Sequence, residues 1–173
     1  MILYLDTSAL VKLYAEEPGR EEVQSALKKA RVVAVSEIGY VEACSALARK
    51  EREGSFSTDE HDATVEQLQR DYREVYLSRP VTGNLIARAG ALAREHALRA
   101  YDAVHLATAL ILREEAEETL ESEERSGEDV HVPRIELLTY DSSLAEAARE
   151  EDLAYEPDAS PLPGDRQERE LPT

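Results

Sequence analysis

Two segments set an aspartate just past a short apolar run and ahead of hydroxyl residues. They are ILYL-Asp6-Thr7-Ser8 and IELLTY-Asp141-Ser142-Ser143. Each run has the length of a buried strand, and each sequel opens a helical pattern. Taken singly, an aspartate at such a turn is an ordinary helix cap. Two further acids stand on faces where a carboxylate is out of place. Glu42, in SEIGYVEACSAL, shares a helical sector with Ile38, Ser45 and Ala46. Asp102, in YDAVHLATALILR, opens a segment that is apolar nearly all round, the signature of a buried helix. A lone carboxylate there is costly to keep charged.

In a parallel sheet these four acids gather at one end. Like charges raise one another's pKa values, so four carboxylates need compensation. No neighbouring lysine or arginine neutralises all four, whereas a hard divalent cation would. Carboxylate oxygens and water are the ligands that Mg²⁺ and Mn²⁺ prefer. One or two such ions can activate a water, orient a phosphodiester and stabilise the leaving oxygen. The chain lacks a glycine-rich phosphate loop, a GxGxxG fingerprint and a GxSxG elbow. The histidines at 61, 96, 105 and 131 are scattered, and His105 reads as a buried, hydrogen-bonded residue rather than a ligand. A phosphatase of the haloacid dehalogenase type would want an aspartate where Ser8 stands. A receiver domain would want adjacent acids and a later lysine, and neither is found.

The elements that must carry these acids follow from periodicity and turn residues. Strands are predicted at 2–5, 31–35, 74–77, 135–139 and 153–155. Helices are predicted at 7–16, 21–30, 37–53, 58–73, 83–96, 98–118 and 142–150. Ser36, Ser57 or Thr58, and Thr82 are the expected caps, with Ser143 and Glu146 spaced as a capping box. Strands alternating with helices imply an α/β fold whose mainly parallel, five-stranded sheet is covered on both faces. In such sheets sites form beyond the carboxyl ends of the strands.

Residues 1–156 read as one domain. Within it, 114–131 is an acidic helical extension that frays into a loop insert. Residues 157–173 carry four prolines and little apolar content, the composition of a disordered tail. Cys44 is the only cysteine, which excludes an internal disulfide and fits a reducing, cytoplasmic setting. No run is long enough to span a membrane, and no signal peptide or anchor is expected. The net charge is −17, with only four lysines. Such a surface repels nucleic acid at long range and suits a basic protein partner or high salt.

The ordered blocks LDTSALVKLY, SEIGYVEACSAL, YDAVHLATAL and LLTYDSSLAEAA resemble the PIN-domain family. Within it, the chain is similar to the VapC-like toxins of prokaryotic type II toxin–antitoxin pairs. The resemblance implies a three-layer α/β/α domain and an endoribonuclease dependent on Mg²⁺ or Mn²⁺. Its acids carry over onto Asp6, Glu42, Asp102 and Asp141, as catalytic and metal-binding residues. Asp6, Glu42 and Asp141 would be the principal ligands, and Asp102 a direct or water-mediated one. Ser8 would orient a carboxylate or water, with Thr7, Ser36 and Thr139 in support. It further implies an RNA substrate of the tRNA or rRNA class, a small antitoxin with a basic tail, and a homodimer. Lys12, Arg49, Lys50, Arg79, Arg88 and Arg99 are candidates to grip RNA. The competing expectation is a catalytically silent PIN-fold module that binds a basic protein, a reading the −17 charge favours.

Overall fold

The computed structural model describes residues 1–124 and 133–157. Four strands, β1 (Ile2–Leu5), β2 (Val32–Ser36), β3 (Leu77–Arg79) and β4 (Ile135–Leu138), form one parallel sheet in the order β3-β2-β1-β4. The chain steps outward through β2 and β3, then crosses to the far side of β1 to lay down β4. The strand order therefore reverses beside β1, where a parallel sheet leaves a crevice beyond its carboxyl ends.

Among the described residues seven helices cover the sheet: α1 (Thr7–Tyr14), α2 (Arg20–Lys29), α3 (Glu37–Arg52), α4 (Thr58–Glu74), α5 (Gly83–Glu95), α6 (Ala100–Glu124) and α7 (Ser142–Glu150). The period-2 alternation of strand side chains divides the core. Leu3, Leu5, Val33, Val35 and Leu138 face α1 to α4, with Leu10, Ala43, Leu47 and Leu68. Tyr4, Ala34, Ile135 and Leu137 face α5 to α7, with Leu85, Leu106, Leu110 and Leu144. The result is a three-layer α/β/α sandwich. Every residue from Ala103 to Leu110 is buried, as expected of a helix that is apolar all round.

The sheet has four strands rather than five. The predicted strand at 153–155 is reduced to a single bridge between Leu137 and Ala154. The third strand lies at 77–79 rather than 74–77, because α4 continues through Glu74. Arg73 and Glu74 are good helix formers, and the strand itself is an edge of three residues with little burial to declare it. Ser57 and Thr82 cap α4 and α5 as expected. The Ser143–Glu146 box does not form. Asp141 takes the cap of α7 first, accepting from the Ser143 and Leu144 amides at 2.9 and 3.0 Å. Helix α6 runs on to Glu124, with Glu114 and Glu115 ion-paired to Arg88 and Arg79. The rest of the predicted insert, 125–131, and the tail from 158 lie outside the described residues.

Candidate active site

Pairing of Leu5 with Leu138 sets the next residues, Asp6 and Thr139, side by side past the ends of β1 and β4. Asp6 caps α1 and Asp141 caps α7. Glu42 lies in the second turn of α3, and Asp102 in the first turn of α6. The amino ends of α1, α6 and α7, each with its partial positive charge, and the second turn of α3 thus present the four carboxylates to one place. All four line a single cleft of about 490 Å³, together with Thr7, Ser8, Lys12, Glu17, Arg49, Lys50, Arg99, His105 and Tyr140.

Asp6 is 4% exposed and held from several sides. The Ser8 hydroxyl lies 2.8 and 2.9 Å from its two oxygens, Thr139 Oγ1 donates at 2.8 Å, and the Ala9 amide donates at 3.0 Å. Thr139 also accepts from the Asp141 amide at 3.0 Å, tying the two aspartates together. Glu42 is oriented from the opposite wall. Its Oε2 accepts from Thr7 Oγ1 at 2.7 Å and meets His105 Nε2 at 2.9 Å. The His105 Nδ1 meets the buried Tyr4 hydroxyl at 2.8 Å, so the imidazole is pinned at both nitrogens.

Burial pushes the Asp6 carboxyl above its ordinary value, against the pull of His105 and the surrounding donors. Burial is also the main cause that raises Asp102, followed by the negative charge of Asp141. His105 and Arg99 oppose that rise, and Asp6 adds to it. Burial acts on Glu42 as well, but hydrogen bonds from His105 and Thr7 outweigh it and hold that carboxyl low. The centre is therefore an ionised glutamate beside two aspartates that resist ionisation without a counter-charge.

Among the described residues, no three His, Cys, Asp or Glu side chains converge into a ready-made metal cage. Mg²⁺ does not require one, because it keeps several waters and is held through one or two carboxylates plus substrate phosphate. The donor set is wholly hard oxygen. Asp102 Oδ2 is buried with no hydrogen-bond partner, an oxygen left over by every protein contact. Such an orphan is costly unless something absent from the chain satisfies it. The residues present fit a divalent cation.

The supporting residues divide. Thr7 and Ser8 line the cleft, and Thr139 stands behind Asp6. Ser36 occupies the cap position of α3, but its hydroxyl makes no cap bond, is buried without a partner and does not line the cleft. Of the candidate RNA contacts, Arg49 and Arg99 lie on the rim, and Lys50 lines the cleft paired with Glu17. Arg79 and Arg88 are spent on Glu115 and Glu114 instead. Lys12 is largely buried, donating to the Pro18 carbonyl at 2.7 Å and standing 4.2 Å above the Tyr140 ring. His105 is both the buried histidine expected and a direct contact of Glu42. Tyr140 and Glu17 escaped the sequence reading. For Tyr140 the available signal was its place between Thr139 and Asp141.

The family profile of the PIN domain matches residues 3–150. The chain belongs to the PIN domain family. It is similar to two proteins named Ribonuclease VapC45 and Ribonuclease VapC49, from Mycobacterium tuberculosis strains CDC 1551 / Oshkosh and ATCC 25618 / H37Rv. Each is 37% identical over 115 residues, which is 63% of this chain and 75% of the relative. The solved structure of PAE2754 from Pyrobaculum aerophilum shares the PIN fold, with a TM-score of 0.53 at 18% identity, over 85% of this chain and 79% of that one.

Proposed function

We propose that this PIN domain protein is a metal-dependent endoribonuclease, the toxin of a VapBC-type pair. The observation that carries the proposal is one cleft lined by Asp6, Glu42, Asp102 and Asp141, with an orphaned carboxylate oxygen in it. Kinship with two proteins named VapC ribonucleases supports RNA as the substrate.

The four carboxylates are the residues that would hold Mg²⁺ or Mn²⁺. When bound, such an ion supplies positive charge that offsets the acids and polarises water and phosphate. The protein's own part is positional. Ser8, Thr139 and the Ala9 amide fix Asp6 without neutralising it. Thr7 and His105 fix Glu42 and keep it ionised. Asp141 spends one oxygen, Oδ1, on both amides at the amino end of α7, and Oδ2 takes no part in that cap. Arg49 and Arg99 on the rim give a local attraction for phosphate on a molecule of net charge −17.

The wider reading follows from the same membership. The substrate is of the tRNA or rRNA class, the partner is a small antitoxin whose basic tail covers the acidic cleft, and the toxin is a homodimer. Residues 1–156 form the nuclease domain, with 114–131 an acidic insert and 157–173 a tail. Among the described residues no helix is long and apolar enough to cross a membrane, and a cytoplasmic location is proposed with that.

The test is cleavage of a labelled tRNA and rRNA pool with Mg²⁺, with Mn²⁺ and with EDTA, beside Asp6→Asn. Metal-dependent cutting that vanishes in the variant is expected. Folded protein that neither cuts nor binds Mn²⁺ in calorimetry would favour the second reading, a silent module for a basic protein, which the −17 charge suits.

A further inference from the structure

Tyr140 lines the cleft of the four carboxylates, yet it belongs to neither hydrophobic core and is 39% exposed. Core packing does not account for it. Its position is nonetheless closely determined. Its amide donates to Ser8 Oγ at 2.7 Å, and its hydroxyl lies 3.0 Å from the Gly19 carbonyl and 2.9 Å from Glu22 Oε2. Gly19 has the left-handed φ of 91°, and a Cβ there would lie 2.6–2.8 Å from atoms at the hydroxyl end of Tyr140. Glycine at 19 therefore answers two demands, the backbone conformation and the room for the ring. The Lys12 ammonium stands 4.2 Å from the ring centroid. An aromatic ring is thus clamped beside Asp141, partly open to solvent, with a cation on it.

We propose that the Tyr140 ring is a stacking platform for a nucleobase of the RNA, next to the phosphodiester at the carboxylate cluster; this rests on the ribonuclease reading above. Unstacked bases of single-stranded RNA seek aromatic faces, and a rigid ring gives contact area at little entropic cost. The Lys12 ammonium on the ring, itself 3.5 Å from Glu17, suits a neutral base there better than a further cation, so a partner's basic tail is left to the open carboxylates. Arg49 and Arg99 on the same rim suit the flanking phosphates. Tyr140 thereby biases which base sits beside the cut, with purines favoured for their larger face.

The test uses the full chain in the Asp6→Asn background, where RNA survives. Binding of a fluorescein-labelled single-stranded RNA of mixed sequence is followed by anisotropy, beside the same backbone without bases. Tyr140→Leu is expected to weaken the base-bearing RNA about tenfold, and Tyr140→Phe to stay within about twofold, as loss or retention of one stacked base implies. The abasic strand should bind both variants alike. A second measurement needs no change at 140: 2-aminopurine walked along the RNA should be quenched at one position on binding. Tyr140→Leu binding as tightly as its parent, an equal loss on the abasic strand, or quenching at no position would overturn the platform. If wild-type protein still cuts RNA in that event, the ribonuclease reading stands. If wild type neither cuts nor binds RNA, both fall.

Discussion

Asp6 and Glu136 are buried carboxylates on neighbouring strands, or just past one, at opposite ends of the sheet. Glu136, 8% exposed and registered against Leu3, takes its charge partner from two residues away, Arg134 Nε at 3.0 Å. Asp6 is as well buried but is met by two hydroxyls and an amide, and among the described residues no lysine or arginine pairs with it. Neutral donors orient a carboxylate without cancelling it. A guanidinium cancels it and leaves nothing to offer a ligand. The uncompensated acid sits where strand order reverses, and the compensated one lines a smaller pocket at the other end of the sheet with Met1 and Arg134. Burial alone does not mark a functional acid; the kind of partner does.

The contrast is sharpest under Asp6→Asn. Cleavage should fall by more than the roughly 100-fold that losing an outer partner of a metal ligand costs. The thermal midpoint in EDTA should rise, because a charge that burial disfavours has been removed. A midpoint that fell together with activity would make Asp6 a structural acid like Glu136. Thr7→Val comes next. It strips Glu42 of one of its two donors, so Mn²⁺ binding measured by titration calorimetry should weaken about tenfold. Unchanged affinity would remove Glu42 from the metal's company. Glu136→Gln should leave the cleavage rate alone and cost about 1 kcal/mol or less in a denaturant melt, since Arg134 is 69% exposed and stays hydrated. A large loss of cleavage there would erase the distinction between the two ends.

The smallest effect concerns His96, which joins the carboxyl ends of α5 and α7 through Glu150 and Glu151 at 2.9 and 3.0 Å. Burial pulls this imidazole down, but the two glutamates outweigh it and its pKa lies above the ordinary value. Its stabilising contribution is therefore complete below the unfolded value of about 6.5 and fades as pH rises through the folded value. The midpoint difference between wild type and His96→Gln should shrink from pH 5.5 to 8.5, about the span over which a histidine titrates. A difference that grows with pH would reverse the assignment.

The strand ends and inward helix faces were legible because each of the four acids breaks a local apolar pattern. Chain order then needed only the switch-point rule to gather them. The partners were not legible. Glu42 meets His105 across 63 residues, and Arg79 meets Glu115 across 36. Periodicity tells which face a residue occupies, not what stands opposite. The misplaced third strand has the same origin. An exposed three-residue edge buries too little to leave an apolar signature, so the helix before it and Pro80 after it had to define it. Asp141 prevailed over Ser143 as cap because a carboxylate two residues earlier already reaches the Ser143 and Leu144 amides.

That short edge also governs how the protein can associate. β3 offers three residues and ends at Pro80, which has no amide to donate, and the outer side of β4 is closed by the 153–155 segment through Leu137. Among the described residues neither border of the sheet can template a visiting strand. A second copy or a different protein would then have only helices and the acidic mouth to meet, since the sheet ends where its own chain ends it.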